Sequence, residues 1–147
     1  MKRLVALSLL ATAGALSAAG NATAATCSLN AQGVNFGGYD FLSDQNLDGV
    51  GYVTVTCDAS SSYTIALSAG TTGSYVGRVM QSGSNRLRYN LYVDASHTMV
   101  WGDGSVGTET VGGTGTDTNY PVYGSIPAGQ NPVVGDYSDV ITVTLTF

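Results

Sequence analysis

Basic residues are scarce in this sequence. Five lysine and arginine residues stand against ten acidic ones, and two of the five, Lys2 and Arg3, lie at the amino terminus. A mature chain that begins near residue 25 keeps only Arg78, Arg86 and Arg88, so its net charge is 3 − 10 = −7. Such a chain has no basic patch to neutralise phosphates or anionic headgroups. We therefore do not expect nucleic acid as a partner.

Residues that perform catalysis or bind metals are also few. His97 is the single histidine, and one histidine supplies too few ligands for a zinc site when both cysteines are committed to a disulfide. No G-x-S-x-G motif of a serine hydrolase occurs. Residues 44–49 match the first half of an EF-hand calcium loop, but Val55 occupies the position of the bidentate glutamate, which favours a turn. We expect neither an enzyme nor a cofactor, and we interpret His97 as a surface turn residue.

Long apolar runs are missing beyond the amino terminus. Met1-Lys2-Arg3, an apolar stretch from Leu4 to Leu16 and the small residues Ala22-Thr23-Ala24 form the three parts of a secretory signal peptide. We predict that residues 1–24 are removed on export and that residues 25–147 form one domain. Because the apolar stretch is too short to span a bilayer, we expect no membrane insertion.

Cysteine occurs only twice, at Cys27 and Cys57. An oxidising compartment favours their pairing, and the lack of Cys-x-x-Cys spacing argues against a redox role. For a closed loop of about 30 residues, the chain-entropy model gives a stabilisation of roughly 3 to 4 kcal/mol. We predict one structural disulfide.

The abundant residues, including 20 glycines and 9 tyrosines, indicate β structure. Apolar and polar residues alternate at 51–57 and at 63–68, which predicts a hairpin with its turn at 58–62. The same alternation at 86–93 predicts a strand whose polar face carries Arg86 and Arg88. Two arginines on the solvated face of an acidic protein are expected to form intramolecular ion pairs.

The remaining segments complete the strand count. Short strands are predicted at 27–36, at 98–101 and at 121–127, where prolines are expected only at an edge or at the strand ends. The glycine- and threonine-rich residues 106–119 predict a mobile loop or a weak edge hairpin. About seven strands without helical periodicity predict an all-β, immunoglobulin-like sandwich.

The most regular alternation lies at the end of the sequence. From Ile141 onward apolar residues alternate with threonine, the two-residue period of a half-buried strand. No later residue is available to cover this strand, so we expect an apolar edge that binds another chain. The residues assigned to the strand-accepting groove and edge are Val140, Ile141, Val143, Leu145 and Phe147.

Five segments occur in a familiar order: residues 27–40, the strand at 51–57, Arg86-Leu87-Arg88-Tyr89-Asn90-Leu91-Tyr92, Trp101-Gly102-Asp103-Gly104, and residues 135–139 with the strand that follows. Together they resemble the spore coat protein U domain family, which includes the pilins of archaic (Csu-type) chaperone-usher pili. The resemblance covers nearly the whole mature chain.

The resemblance implies an incomplete immunoglobulin-like sandwich that lacks its final strand. In such pili a periplasmic chaperone lends a strand, and the amino-terminal extension of a neighbouring subunit then replaces it. This implies a structural or adhesive pilus subunit, exported through the periplasm to the cell surface, with the chaperone, an outer-membrane usher and other pilins as partners. The residues leave one alternative open, a self-contained secreted carbohydrate-binding sandwich with tyrosines and Trp101 as a sugar platform.

The sequence departs from the fibre-forming pattern in one respect. Pilins of this kind carry an alternating apolar extension before the first cysteine, whereas residues 20–26 here contain no apolar side chain larger than alanine. We expect a subunit that accepts a strand but does not donate one, at the fibre tip or in an accessory role.

Overall fold

The computed structural model describes residues 24–105 and 107–147, so the predicted signal peptide lies outside the described residues except for Ala24. The described part contains six strands and no helix: β1 (Cys27–Gln32), β2 (Leu47–Leu67), β3 (Arg78–Ser82), β4 (Asn85–Tyr92), β5 (Val111–Ile126) and β6 (Val143–Thr146). They form a curled antiparallel sheet in the order β1-β2-β5-β4-β3, with β6 also paired to β2. The prediction of an all-β, immunoglobulin-like fold is confirmed, with six strands in place of about seven.

Strand β2 is one long strand where a hairpin was predicted. Its pairing with β5 shifts register between Thr56 and Ser61, so the residues expected to form a turn form a bulge. Pairing continues on both sides of the bulge, with Thr56 opposite Asp117 and Ser61 opposite Gly115. The hairpin prediction is wrong because aspartate and serine suit a turn and a bulge alike, and the long partner strand β5, which pairs on both sides of the bulge, decides between them.

The segment at 106–119 was predicted as a mobile loop or a weak edge hairpin. From Val111 onward it is neither, because it forms the first part of the single long strand β5. Gly113 leaves room for the rings of Tyr63 and Tyr120, whose hydroxyl groups lie 2.9 Å apart. Backbone hydrogen bonds to β2 require no apolar side chains, so composition alone gave the wrong prediction here.

Two further strand predictions also need correction. In the segment at 121–127, Pro127 directly follows the last residue of β5, as predicted for a proline at a strand end. Pro121, however, lies inside β5, which is not an edge strand because it lies between β2 and β4. Pro121 is tolerated because β4 pairs only with residues 123–125. The strand predicted at 98–101 is reduced to single bridges, from Val100 to Tyr92 and from Trp101 to Glu109.

The alternation within β2 and β4 is confirmed by burial. Their inward residues form most of the core: Val53, Val55, Cys57, Tyr63, Ile65, Leu67, Leu87, Tyr89 and Leu91. Cys27 and Cys57 face each other across β1 and β2 and form the predicted disulfide. The disulfide therefore joins β1 to β2.

The three arginines within the described residues differ from the sequence-based expectation. Arg86 and Arg88 are exposed, and no carboxylate of residues 24–105 or 107–147 lies within 4.0 Å of either. The prediction that they form ion pairs is wrong, which is consistent with the small free energy that exposed pairs contribute. Arg78, to which the sequence assigned no role, is completely buried.

Candidate functional site: an open groove between two strand edges

Two strand edges flank one opening in the sandwich. In the part of the chain that the structure describes, β1 and β6 each pair with β2 and with no other strand. Residues 31–39, which end and follow β1, line one side of the opening. The other side is lined by residues 132–139, Ile141 and Val143. The space between them, which we call the groove, has a volume of about 720 Å³.

The floor of the groove is apolar. It is formed by side chains from β2, β3, β4 and β5, none of them more than 8% exposed: Val53, Leu67, Met80, Leu87, Tyr89, Leu91, Val122 and Ile126. Neighbouring side chains shield these residues from bulk water, but the space above them is unfilled. An apolar side chain inserted there would leave water and gain close contacts with the floor.

The first wall depends on glycines in the strands beneath it. Val34 and Phe36 cross over the sheet where Gly51 and Gly124 provide the space, since a Cβ atom at Gly124 would lie 2.6 Å from the Phe36 ring. Phe36 then packs edge to face against Tyr89, with ring centroids 6.1 Å apart. Residues 34–36 were predicted as the end of the first strand, but β1 ends at Gln32 and these residues form the wall of the groove. The sequence did not predict this wall. The alternation of Val34 and Phe36 between glycines was the only available signal.

The second wall contains part of the predicted strand-accepting set. Ile141 and Val143 are half-buried and line the groove. Leu145 is half-buried against the core but does not line the groove. Val140 and Phe147 point away from the core and are 76% and 57% exposed.

Asp139 anchors the second wall to a neighbouring loop and to the floor. Its carboxylate accepts hydrogen bonds from the Thr71 amide at 2.9 Å, the Thr71 hydroxyl at 2.6 Å and the Tyr89 hydroxyl at 2.8 Å. Burial alone would raise the pKa of Asp139, but these hydrogen bonds outweigh it and hold the pKa below its usual value. Burial, together with the bond to Asp139, raises the pKa of Tyr89. Gly70, with φ of 76°, leaves the carboxylate room to reach this position.

The other candidate residues lie away from the groove. His97 adopts a φ of 55° in a turn, packs against Tyr92 and lies 4.0 Å from Asp48. Trp101 is fully buried and donates its indole N–H to the Ile65 carbonyl, so it cannot stack on a sugar.

No metal site or membrane span is visible in the described ranges. Within residues 24–105 and 107–147, no three histidine, cysteine or acidic side chains are grouped so that they could hold a metal ion. Over the same ranges, no helix has the length and apolar character to cross a membrane.

The fold and the groove define an all-β sandwich with an open apolar groove in its side. The family model of the Spore Coat Protein U domain matches residues 12–144, and the chain belongs to that family, as the sequence resemblance predicted. Protein U of Myxococcus xanthus is 32% identical over 127 residues, which cover 78% of this chain and 71% of protein U.

One solved structure shows a similar fold. One chain of the CsuC–CsuE chaperone–tip adhesion subunit pre-assembly complex, from archaic chaperone-usher Csu pili of Acinetobacter baumannii, matches 84% of this chain with 24% identity and a TM-score of 0.61. This chain spans 40% of the length of that chain. The Escherichia coli Hda pilus minor tip subunit HdaB covers 82% of this chain, which covers 79% of HdaB, with 15% identity. Its TM-score of 0.38 is too low to support an argument.

Proposed function

We propose that this protein is a non-enzymatic subunit of a chaperone-usher surface pilus and that its groove accepts a β-strand from another polypeptide. The observation that carries the proposal is the apolar groove between the segment that follows β1 and the segment that leads into β6, two strands that each pair with β2 alone among the described residues. An extended segment laid there would find backbone hydrogen-bonding partners at the edges and an apolar floor for every second side chain. Membership of the family and the fold shared with a chain of the Csu complex support the same role.

A strand whose apolar side chains filled the groove would stabilise the protein substantially. Each side chain buried on the floor contributes roughly 1.5 to 3 kcal/mol. Several of them together contribute on the order of 10 kcal/mol, comparable to the whole stability of a domain. The proposed occupants are a strand of a periplasmic chaperone first and then the extension of another pilin, with an outer-membrane usher as the route to the surface.

The composition before Cys27 supports a position at the end of the fibre. With residues 1–24 removed as a signal peptide, the short stretch that remains carries only alanine and threonine and could not fill a similar groove. The subunit would then accept a strand without donating one, which suits the distal tip or an accessory role.

Strand acceptance can be tested with synthetic peptides. The full chain would be expressed with its own amino-terminal segment, recovered from the periplasm of a bacterial host and mixed with lysine-flanked peptides in which valine, isoleucine or leucine alternates with threonine. At a peptide concentration of 100 times Kd, the stabilisation is about 2.7 kcal/mol. We expect a rise in Tm of several degrees and saturable binding by calorimetry.

A matched pair of variants locates the binding. Val143→Asp places a charge in the groove and should abolish peptide binding, whereas Val140→Asp, on an exposed residue three positions earlier, should leave it intact. If no peptide of the panel changes the Tm or binds, the sandwich is complete by itself and the proposed function is wrong.

Position in the fibre needs a separate measurement. Pili assembled with a tagged copy of this chain would be labelled with immunogold and viewed by electron microscopy. One particle at the free end is expected for a tip subunit. Labelling along the whole shaft would contradict the tip assignment while leaving strand acceptance unaffected.

A further inference from the structure

Arg78 is a buried cation held by neutral groups alone. It is 0% exposed, and no carboxylate among the described residues lies within 4.0 Å of its guanidinium. Its Nε and Nη2 both donate to the Ser68 carbonyl, at 3.0 and 2.8 Å. Nη2 also donates to the Trp101 carbonyl at 2.6 Å, and Nη1 donates to the Asn90 side-chain oxygen at 2.7 Å. A buried charge is costly unless its donors are satisfied, so all three acceptors are constrained to stay in place.

The surroundings of Arg78 make this arrangement rigid. The guanidinium lies over the Tyr75 ring, 5.3 Å from the centroid, and the Tyr75 hydroxyl donates to the Leu67 carbonyl at 3.1 Å. Asn90, besides accepting from Arg78, donates to the Tyr75 carbonyl at 2.9 Å. Arg78 therefore ties the end of β2 to β4 and to the segment at Trp101.

Ser68 connects this cluster to the groove. Its amide donates to the Thr142 carbonyl at 2.9 Å, and its hydroxyl accepts from the Thr142 amide at 2.9 Å. Thr142 lies between Ile141 and Val143, the two residues of the terminal segment that were predicted from sequence and that line the groove. The position of Ser68 thus sets the position of the second wall.

We propose that Arg78 is a positioning residue that fixes the second wall of the groove through Ser68 and Thr142, so that the wall is ordered before a strand arrives. The role in strand binding rests on the proposed function, whereas the ordering of Thr142 does not. An ordered wall raises affinity because the incoming strand does not have to bear the entropy of ordering it. Lysine cannot replace arginine here, since an ammonium lacks the planar fork that holds one carbonyl through two donors.

The test compares Arg78→Lys with Arg88→Lys, the same substitution on an exposed arginine outside the groove. Both would be made in the full chain and titrated with the tightest-binding valine–threonine peptide of the panel. We expect binding about tenfold weaker or worse for Arg78→Lys, the loss typical of a hydrogen bond to a charged group, and no change for Arg88→Lys. Hydrogen exchange in the absence of peptide should show faster exchange at the Thr142 and Ser68 amides, with unchanged protection at Val53 and Val55.

The outcomes separate the two proposals. Two results would overturn the positioning role and leave strand acceptance unaffected. The first is that Arg78→Lys binds peptide as tightly as the unmodified chain. The second is a uniform loss of protection from hydrogen exchange across the core. If no peptide binds the unmodified chain, the proposed function fails and the exchange pattern alone decides the positioning role. If Arg78→Lys does not accumulate, Asn90→Ala, which removes one acceptor of the Arg78 guanidinium and leaves Ser68 and Thr142 unaltered, must show the same local effect. Unchanged exchange at Thr142 in that variant would overturn the inference.

Discussion

Gly51→Ala should destabilise the protein, because the added methyl group would collide with the chain that crosses over β2. A Cβ atom at Gly51 would lie 2.6 Å from the Gln32 carbonyl oxygen, 3.0 Å from the Gly33 carbonyl carbon and 3.0 Å from a methyl group of Val34. The first two are backbone atoms, and β1 pairing holds Gln32 opposite Tyr52, so they cannot rotate away as a side-chain end could. The strain therefore displaces the crossing of residues 33–36 over β2.

The magnitude follows from two opposing terms. Overpacking of this kind costs roughly 1 to 3 kcal/mol. Removing the conformational freedom of glycine in a strand returns roughly 0.5 to 1 kcal/mol. We expect a net loss of about 1 to 2 kcal/mol in the free energy of unfolding, or roughly 3 to 8 °C in Tm for a domain of this size.

The control for this variant is Gly112→Ala in β5. The nearest atom to a Cβ there is the Tyr63 carbonyl oxygen at 3.8 Å, an ordinary contact, so this variant should be neutral or slightly stabilised. Urea and thermal unfolding of both variants measure the difference. Gly51→Ala as stable as Gly112→Ala would refute the close approach of the first wall to β2. A second consequence is weaker peptide binding by Gly51→Ala, since Val34 lines the groove.

Two further predictions concern the disulfide and Asp139. Replacing Cys27 and Cys57 together by serine should cost roughly 3 to 4 kcal/mol in urea unfolding, with the reduced native chain behaving similarly, and a loss below about 1 kcal/mol would contradict the loop-entropy reasoning. Because hydrogen bonds depress the pKa of folded Asp139, its carboxylate stabilises the fold above the unfolded pKa of about 3.9, and this contribution is lost as pH falls through the folded pKa. The gap in unfolding free energy between native chain and Asp139→Asn should shrink below about pH 4, and a constant gap would exclude this ionisation as the cause.

The sequence by itself determined the features that depend on local period and composition. The alternation of Val53 with Val55 and of Leu87 with Leu91 identifies the buried face of a strand, because neighbouring side chains of an extended backbone point to opposite sides. With only two cysteines, a single intramolecular disulfide was possible, and it is the one observed. The ordered motifs from Cys27 to Asp139 identified the family.

Only the tertiary structure decided which strands meet and what lies between them. Three features depend on the register of residues far apart in the chain: the bulge after Thr56, the first half of β5 and the space that Gly51 leaves for Val34. Arg78 is the clearest example of what the sequence could not predict. Its neighbours in sequence do not reveal that the carbonyls of Ser68 and Trp101 accept its hydrogen bonds. Hydrogen-bond partners of this kind leave no periodic signal, since they come from different strands and are brought together only when the sandwich closes.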